Sequence, residues 1–260
     1  MRRYFFFHFL LFCVLLLSGC ASLSPRSINA VDTIGVEQTT GEQPPEGAQI
    51  VDFKAFNQKM ESGYLCKPEG AGLFAGVIYN HGGTGGDQIG GDPESTCKAL
   101  ADAGYVGFSP LRRVGSVPQG LSEIQAGLEF IKALPYVNSN QIAMIGFSRG
   151  GALTYLLADD SSLDAIILMA TAPVDEEKAQ QSTITAPVLL LVAENDTPAP
   201  WNGGKDLHQG MQDLYNGLRS TGANVTLKVY PAYSEHGHFM FFEIGDYWKD
   251  VVDFLKQHIS

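Results

Sequence analysis

A glycine-flanked serine, Gly-Phe-Ser-Arg-Gly at residues 146–150, is the feature that most restricts how this chain can fold. Residues 141–145 before it form a short apolar run typical of a buried strand, and residues 151–157 after it are typical of a helix. A strand, G-x-S-x-G and a helix in this order predict a sharp turn that holds the serine hydroxyl above the end of a sheet. The flanking glycines let helix and strand approach closely. The pattern therefore predicts that Ser148 is a catalytic nucleophile.

From residue 49 onward the sequence alternates between strand and helix patterns. Continuous apolar runs, such as residues 165–169 and 188–193, indicate strands buried on both faces, as in a parallel sheet. The alternation predicts an α/β fold in which helices cover the sheet. The predicted strands are residues 50–56, 63–67, 75–80, 107–109, 141–146, 165–169, 188–193 and 224–230. The predicted helices are residues 93–103, 119–133, 148–158, 205–220 and 245–258.

A serine hydroxyl is a weak nucleophile that needs a base, and the base must be oriented by a third group. In a strand–serine–helix arrangement the acid and then the base follow the serine along the chain. Asp196 comes directly after the buried run 188–193 and is the predicted acid, with Glu194 as the alternative. Two histidines lie in the loop directly after the last predicted strand. His238, between a glycine and a phenylalanine, is the predicted base, and His236 is the alternative.

Two backbone N–H groups have to face the oxyanion that forms during attack on an ester carbonyl. One is predicted to come from Arg149, directly after the nucleophile, and the other from Gly83 or Thr84 in the glycine-rich loop 80–86. His81 in this loop is predicted to be structural. No set of His, Cys and carboxylate residues has the spacing of a metal site, and the loop lacks the lysine of a phosphate-binding loop. The sequence therefore predicts an enzyme with no metal and no cofactor.

With these residues the chain resembles α/β-hydrolases of the dienelactone hydrolase type over about residues 50–260. The resemblance rests on the segments His81-Gly82-Gly83, Ala133-Leu134-Pro135-Tyr136-Val137-Asn138 and 146–151, on Asp196, and on the loop around His238. It implies the α/β-hydrolase fold, with a mostly parallel eight-stranded sheet between helices, and a triad of nucleophile, aspartate and histidine. Dienelactone hydrolases use a cysteine nucleophile where this chain has Ser148. This difference favours a serine esterase acting on a small ester or lactone.

The first twenty residues have the pattern of a bacterial lipoprotein signal. Arg2 and Arg3 precede an apolar run at residues 5–17, which is shorter than a membrane-spanning helix and typical of a signal peptide. The run leads to Leu-Ser-Gly-Cys, which ends at Cys20 and resembles a lipobox whose cysteine becomes acylated. The sequence thus predicts attachment to the membrane through a lipid on Cys20. The predicted location is the cell envelope, on the periplasmic face of the outer membrane.

Three segments follow from this pattern: a signal peptide at residues 1–19, the lipidated cysteine with a flexible tether at 20–48, and a hydrolase domain at 49–260. The chain has 260 residues, of which 45% are apolar and 17% charged, which is enough apolar sequence for one large core. The formal net charge is −11, and no basic stripe is present. Nucleic acid is therefore not expected as a partner, and the sequence identifies no protein partner.

Three other features have more than one interpretation. Cys66 and Cys97 could form a disulfide in an exported protein or remain two buried thiols. The pair Arg112-Arg113 could meet an acidic substrate, although adjacent charges are more commonly solvated or ion-paired. Trp201 and the run 239–242 could form an apolar acyl pocket or belong to the core.

Two further functions are compatible with the same motifs. One is a peptidase of the prolyl-oligopeptidase superfamily, which shares the order serine, acid, histidine. The other is a non-catalytic envelope lipoprotein that keeps the hydrolase fold, since a fold alone does not determine a function.

Overall fold

The structure is a computed structural model that describes residues 47–55, 58–158 and 163–259. The predicted signal peptide at residues 1–19, Cys20 and most of the predicted tether lie outside the described residues, as does Phe56 at the end of the first predicted strand. None of the helices in the described part of the chain is both long and apolar enough to span a membrane.

After an initial run of strands, the described elements alternate between helix and strand as the sequence predicts. The strands are β1 Gln49–Lys54, β2 Met60–Cys66, β3 Phe74–Asn80, β4 Gly82–Gly85, β5 Gln88–Gly90, β6 Val106–Pro110, β7 Val137–Phe147, β8 Ala165–Met169, β9 Val188–Ala193 and β10 Val225–Tyr230. The helices are α1 Pro93–Asp102, α2 Val117–Lys132, α3 Arg149–Leu157, α4 Glu176–Ala179, α5 Leu207–Ser220 and α6 Trp248–His258, with 3₁₀ turns at Pro200–Asn202 and Gly237–Phe241.

Within the described residues, eight strands form one sheet in the order β1-β2-β6-β3-β7-β8-β9-β10. The pairs from β6 to β10 are parallel, so the predicted mostly parallel, eight-stranded sheet is confirmed. The exceptions are β1 and β2. They form an antiparallel pair, and β2 is also antiparallel to β6. The connection between β1 and β2 is short, and a short connection can join neighbouring strands only if they are antiparallel. A parallel pair needs a long crossover.

The central strands of the sheet are buried on both faces, which explains the continuous apolar runs. Along β7, Ile142 and Met144 pack into the core on one face, while Ala143 and Ile145 pack into the core on the other. Successive side chains of a strand point to opposite faces, so both faces of this strand need apolar residues. The carboxyl ends of the parallel strands all lie at one edge, and the loops that carry the candidate site residues start there.

Two helices, α1 and α5, begin directly after an aspartate whose side chain caps the first turn. Asp92 accepts a hydrogen bond from the Ser95 N–H at 2.9 Å and precedes α1, and Asp206 accepts from the Gln209 N–H at 2.9 Å before α5. Such caps satisfy one of the free N–H groups of the first turn. The helix predicted at 205–220 therefore begins at Leu207, after its cap.

One hairpin was not predicted. The segment around Gly82, treated as a loop in the sequence, forms β4 and pairs with β5 in antiparallel fashion. Residues 86–87, Gly-Asp, form the two-residue connection, and Gly86 has a φ of +58°. Glycine at the first position of such a turn is a known hairpin signal. Because the flanking segments are too glycine-rich to show an alternating pattern, they gave no strand prediction.

A disulfide joins Cys66 at the end of β2 to Cys97 on α1. Both cysteines are buried, and their Cα atoms are 5.6 Å apart. The bond links α1 to the antiparallel strand that lies between β1 and β6. The sequence leaves open whether these cysteines form a disulfide or remain two buried thiols, and the structure has the disulfide.

We predict that losing this disulfide lowers the free energy of unfolding by about 3–4 kcal/mol, because the bond closes a long loop in the unfolded chain. The two cysteines are 31 residues apart. Urea unfolding of the protein before and after reduction, beside the double variant Cys66→Ala/Cys97→Ala, measures the effect. A midpoint unchanged by reduction would contradict the prediction.

Candidate active site

Ser148 lies in a strained turn between β7 and α3. Its backbone has a φ of +52° and a ψ of −120°, a conformation that non-glycine residues rarely adopt. Two hydrogen bonds at the end of β8 hold it there: the Ser148 N–H donates to the Met169 carbonyl, and the Ala172 N–H donates to the Ser148 carbonyl, each at 2.9 Å. The structure thus has the sharp turn that the G-x-S-x-G pattern predicts.

The glycines around Ser148 are required by the close packing of α3 on the sheet. A Cβ added at Gly150 would lie 2.0 Å from the Asn80 carbonyl oxygen, and one at Gly146 would lie 2.6 Å from the Gly151 Cα. At Gly151 an added Cβ would lie 2.3 Å from a side-chain oxygen of Thr171. Any side chain at these positions would therefore push the helix away from β3, β7 and β8.

Asp196 and His238 meet at the same edge of the sheet. Asp196 follows β9 and is completely buried, and His238 lies in the 3₁₀ turn after β10. His238 Nδ1 is 2.9 Å from Asp196 Oδ2, so a proton on Nδ1 is donated to the carboxylate. Gly237 permits this approach, because a Cβ there would lie 2.7 Å from the Asp196 backbone nitrogen.

His236 also approaches the Asp196 carboxylate, with its Nδ1 3.7 Å from Asp196 Oδ1, but its hydrogen bonds go to other groups. Its Nδ1 accepts a hydrogen bond from the His238 N–H at 3.2 Å, which leaves Nε2 to donate to the Thr197 carbonyl at 2.8 Å. The ring therefore connects the two loops. The alternative acid, Glu194, accepts a hydrogen bond from the Ala232 N–H at 3.0 Å and likewise holds the loop after β10.

Ser148 and His238 line one cavity of about 360 Å³. Aromatic rings enclose the histidine: the centroid of Phe147 lies 4.8 Å from that of His238, and the centroid of Trp201 lies 5.1 Å from it. Phe242 also lines the cavity, whereas Phe241 belongs to the core. In the run 239–242, Phe242 therefore lies at the cavity and Phe241 lies in the core.

The predicted oxyanion donors fall in two places. Gly83 on β4 lines the cavity with Ser148, whereas Thr84 is not among the lining residues and donates its hydroxyl to Gln88 Oε1 at 2.6 Å. Arg149 starts α3 directly after the nucleophile, and its guanidinium donates to the Gly115 carbonyl at 2.7 Å. Of the two alternatives in the glycine-rich segment, Gly83 is the one that lines the cavity.

A buried histidine and a buried arginine hold this glycine-rich segment. Arg112 donates from its Nη2 to the His81 carbonyl at 2.6 Å and to the Gly83 carbonyl at 3.3 Å. The Arg112 N–H donates to His81 Nε2 at 3.1 Å, which leaves His81 Nδ1 protonated and donating to the Gly82 carbonyl at 2.6 Å. Three successive carbonyl groups are thereby fixed behind the cavity.

Burial determines the charge of both residues. Burial and the positive charge of Arg112 lower the pKa of His81 to about 3, so its ring is neutral near pH 7. Burial and the nearby Arg149 lower the pKa of Arg112 to about 10, so Arg112 keeps its charge. His81 is structural, as the sequence predicts. Arg112 is neither solvated nor ion-paired with any described carboxylate, contrary to the common behaviour of adjacent arginines.

Arg113 points to a different part of the protein. Its guanidinium forms ion pairs with the buried carboxylates of Glu61 and Glu123. In the described part of the chain, no group of three or more His, Cys, Asp or Glu residues is arranged to hold a metal ion.

A sequence model of the dienelactone hydrolase family matches residues 111–259, which is more than half of the chain. The chain belongs to the dienelactone hydrolase family. A relative from Saccharolobus solfataricus, named "Putative carboxymethylenebutenolidase", is 30% identical over 146 residues. The alignment covers 52% of this chain and 53% of that relative, so it spans about half the length of each.

Solved structures confirm the predicted α/β-hydrolase fold. An esterase from Pyrococcus furiosus superposes with a TM-score of 0.64 at 16% identity, over 85% of this chain and 95% of that one. An acylaminoacyl peptidase from Pyrococcus horikoshii superposes with a TM-score of 0.64 at 14% identity, over 82% of this chain and 42% of that one. At such identities the likeness shows the fold alone.

We predict that Gly150→Ala destabilises the protein by several kcal/mol or prevents folding, because the new methyl group overlaps the Asn80 carbonyl. Gly210→Ala on α5 is the matched control, since nothing lies within 4 Å of its added Cβ. Alanine there should increase stability by about 0.5–1 kcal/mol. Thermal unfolding of both variants tests the pair, and similar effects of the two substitutions would contradict the steric explanation.

We predict that His81 makes the folded state lose stability as the pH falls from about 6.5 towards 3. The ring stays neutral in the folded protein down to a pKa of about 3, whereas in the unfolded chain it takes up a proton near its ordinary value of 6.5. The free energy of unfolding therefore falls by about 1.4 kcal/mol for each unit by which the pH falls in this window. Urea unfolding between pH 7 and 4 should show a smaller loss for His81→Gln than for the wild type, and equal losses would contradict the assignment.

Proposed function

We propose that the protein is a serine hydrolase that cleaves carboxylic esters, lactones included, of small molecules through an acyl-enzyme on Ser148. One observation carries the proposal: His238 binds the buried carboxylate of Asp196 and lines the same cavity as Ser148. This arrangement at one edge of the sheet supports Ser148, His238 and Asp196 as the nucleophile, the base and the orienting acid that a serine hydrolase needs.

In the proposed reaction, His238 is the base. Asp196 accepts the hydrogen bond from its Nδ1, which leaves Nε2 to take the proton of the Ser148 hydroxyl as Oγ attacks the ester carbonyl carbon. The bond between that carbon and the leaving oxygen then breaks, and the alcohol leaves with the proton from His238. Water, activated by His238, attacks the acyl-enzyme, releases the carboxylic acid and restores the Ser148 hydroxyl.

The negative charge on the carbonyl oxygen is proposed to be held by backbone N–H groups of Arg149 and Gly83. A donor of this kind contributes on the order of 10²–10³-fold to kcat. His81 and Arg112 support the proposal, because they fix three carbonyl groups around Gly83 without entering the cavity.

The comparisons support an ester or lactone substrate. The family is that of dienelactone hydrolases, and the relative's name refers to a carboxymethylene-substituted lactone. A second candidate, a peptidase, is favoured by the peptidase among the structural neighbours. A panel of esters and peptides, each measured with Ser148→Ala as control, separates the two. Activity towards neither, with the wild type folded, would favour the non-catalytic envelope role.

We predict that Ser148→Ala and His238→Ala each lower kcat/KM for a short-chain p-nitrophenyl ester by at least about 10³-fold, because each removes a member of the proposed triad. His236→Ala is the matched control. Its hydrogen bonds to the His238 N–H and the Thr197 carbonyl position a loop, so we expect a loss of at most about tenfold.

The assignment of the base would be wrong if His236→Ala lost activity as completely as Ser148→Ala while His238→Ala stayed active. Circular dichroism of each variant separates loss of activity from loss of fold.

We further propose that the protein is lipid-anchored through Cys20 in the bacterial envelope. The proposal rests on the basic start, the apolar run and the Leu-Ser-Gly-Cys sequence. Acyl chains buried in a bilayer contribute about 0.8 kcal/mol per CH₂, so they would retain the protein at the membrane. We predict that Cys20→Ala prevents metabolic labelling with radioactive palmitate, which Cys66→Ala should leave unchanged. Equal labelling of the Cys20→Ala variant would contradict the proposal.

A further inference from the structure

The walls of the cavity around Ser148 carry no formal charge. Among the described residues that line it, none is Asp, Glu, Lys or Arg, and His238 is the one titratable side chain. The polar side chains Gln88 and Asn202 are neutral, and most of the remaining surface is aromatic, aliphatic or glycine. The amide oxygen of Asn202 is already used within its own loop, where it accepts from the Ala199 N–H at 2.9 Å.

Three arginines lie in segments next to the cavity. Most of their guanidinium N–H groups are used elsewhere, while Arg112 Nη1 is buried with no hydrogen-bond partner among the described residues. Arg112 donates to backbone carbonyls of the glycine-rich segment, Arg113 pairs with two buried glutamates, and Arg149 donates to the Gly115 carbonyl. None of the three is among the residues that line the cavity. A substrate carboxylate in the cavity would therefore find no cationic side chain, and the backbone N–H groups near Ser148 are needed for the oxyanion.

An uncompensated carboxylate is costly to bring into such a cavity, because it loses its hydration without gaining a partner. The protein's formal net charge of −11 adds repulsion. We infer that the site takes uncharged esters with an apolar part and discriminates against carboxylate-bearing substrates, including carboxymethylene-substituted lactones. This inference rests on the proposed function.

The mouth of the cavity supplies the apolar contact that such a substrate needs. Trp201 is 51% exposed and stacks on Phe239, which is 40% exposed, with ring centroids 5.7 Å apart. Ile89 lies at the cavity wall and is partly exposed as well. The volume of about 360 Å³ is near the lower end for ligand pockets, which indicates a small substrate.

The test compares two esters that differ in charge but not in size: mono-p-nitrophenyl glutarate, an anion, and the p-nitrophenyl ester of glutaric acid monoamide. Their leaving groups are identical, and rates are corrected for uncatalysed hydrolysis. We expect kcat/KM to be roughly 10²-fold higher for the amide, because the enzyme offers the carboxylate no partner.

Two variants test whether the missing positive charge in the cavity causes the difference in kcat/KM between the two esters. Gln88→Arg places a cation at the wall and should reduce the difference between the two esters by about tenfold. Gln88→Met, the matched neutral control, should leave the ratio of the two rate constants unchanged. An unchanged ratio in Gln88→Arg, with both variants folded, would count against the inference.

The outcomes separate the inference from the function on which it rests. If the wild type hydrolysed the anionic ester as well as the amide, the inference would be overturned while the serine hydrolase proposal stood. If neither ester nor p-nitrophenyl pentanoate were hydrolysed by the folded protein, the proposed function would be overturned, and the inference with it.

Discussion

The strained backbone of Ser148 at the end of β7 is the constraint on which the rest of the site depends. A non-glycine residue with a φ of +52° costs on the order of 1–3 kcal/mol, and this conformation persists only where its surroundings hold it in place. Here β8 holds it through two backbone hydrogen bonds, and α3 packs on the sheet so closely that Gly150 has no room for a side chain. The strain is therefore balanced by hydrogen bonds and close packing at the central sheet.

The parallel sheet brings the remaining groups to the serine. Strands β7, β9 and β10 end at the same edge, so the loops that follow β9 and β10 carry Asp196 and His238 towards the end of β7. On the other side of β7, the loop after β3 brings Gly83 to the same cavity. Ser148 thus lies directly at the end of a buried strand, and Asp196 and His238 lie in the segments that follow β9 and β10.

Much of this arrangement follows from local sequence patterns. The strands 165–169 and 188–193 have the predicted bounds, because a strand buried on both faces is apolar at every position and ends where the polar residues begin. The G-x-S-x-G motif predicts the role of Ser148, and the order of residues along the chain predicts the roles of Asp196 and His238. The structure brings Asp196 and His238 into hydrogen-bonding contact and places Ser148 with His238 in one cavity, while their catalytic roles stay predictions.

Other features depend on which strands are neighbours, and local patterns do not contain that information. Arg112 reaches His81 because β6 lies beside β3, although the two residues are 31 positions apart. Their partners are mostly carbonyl groups, which leave no trace in the sequence. The hairpin of β4 and β5 was missed because glycines show no alternating pattern, and the Gly-Asp connection was the one available signal.

The central claim is that Ser148 is an activated nucleophile. Mass spectrometry of the folded protein after treatment with a fluorophosphonate, followed by peptide mapping, tests it most directly. We expect one adduct per chain, located on Ser148 and absent from protein unfolded in urea before treatment. No adduct on the folded protein, or an adduct on another residue in place of Ser148, would contradict it.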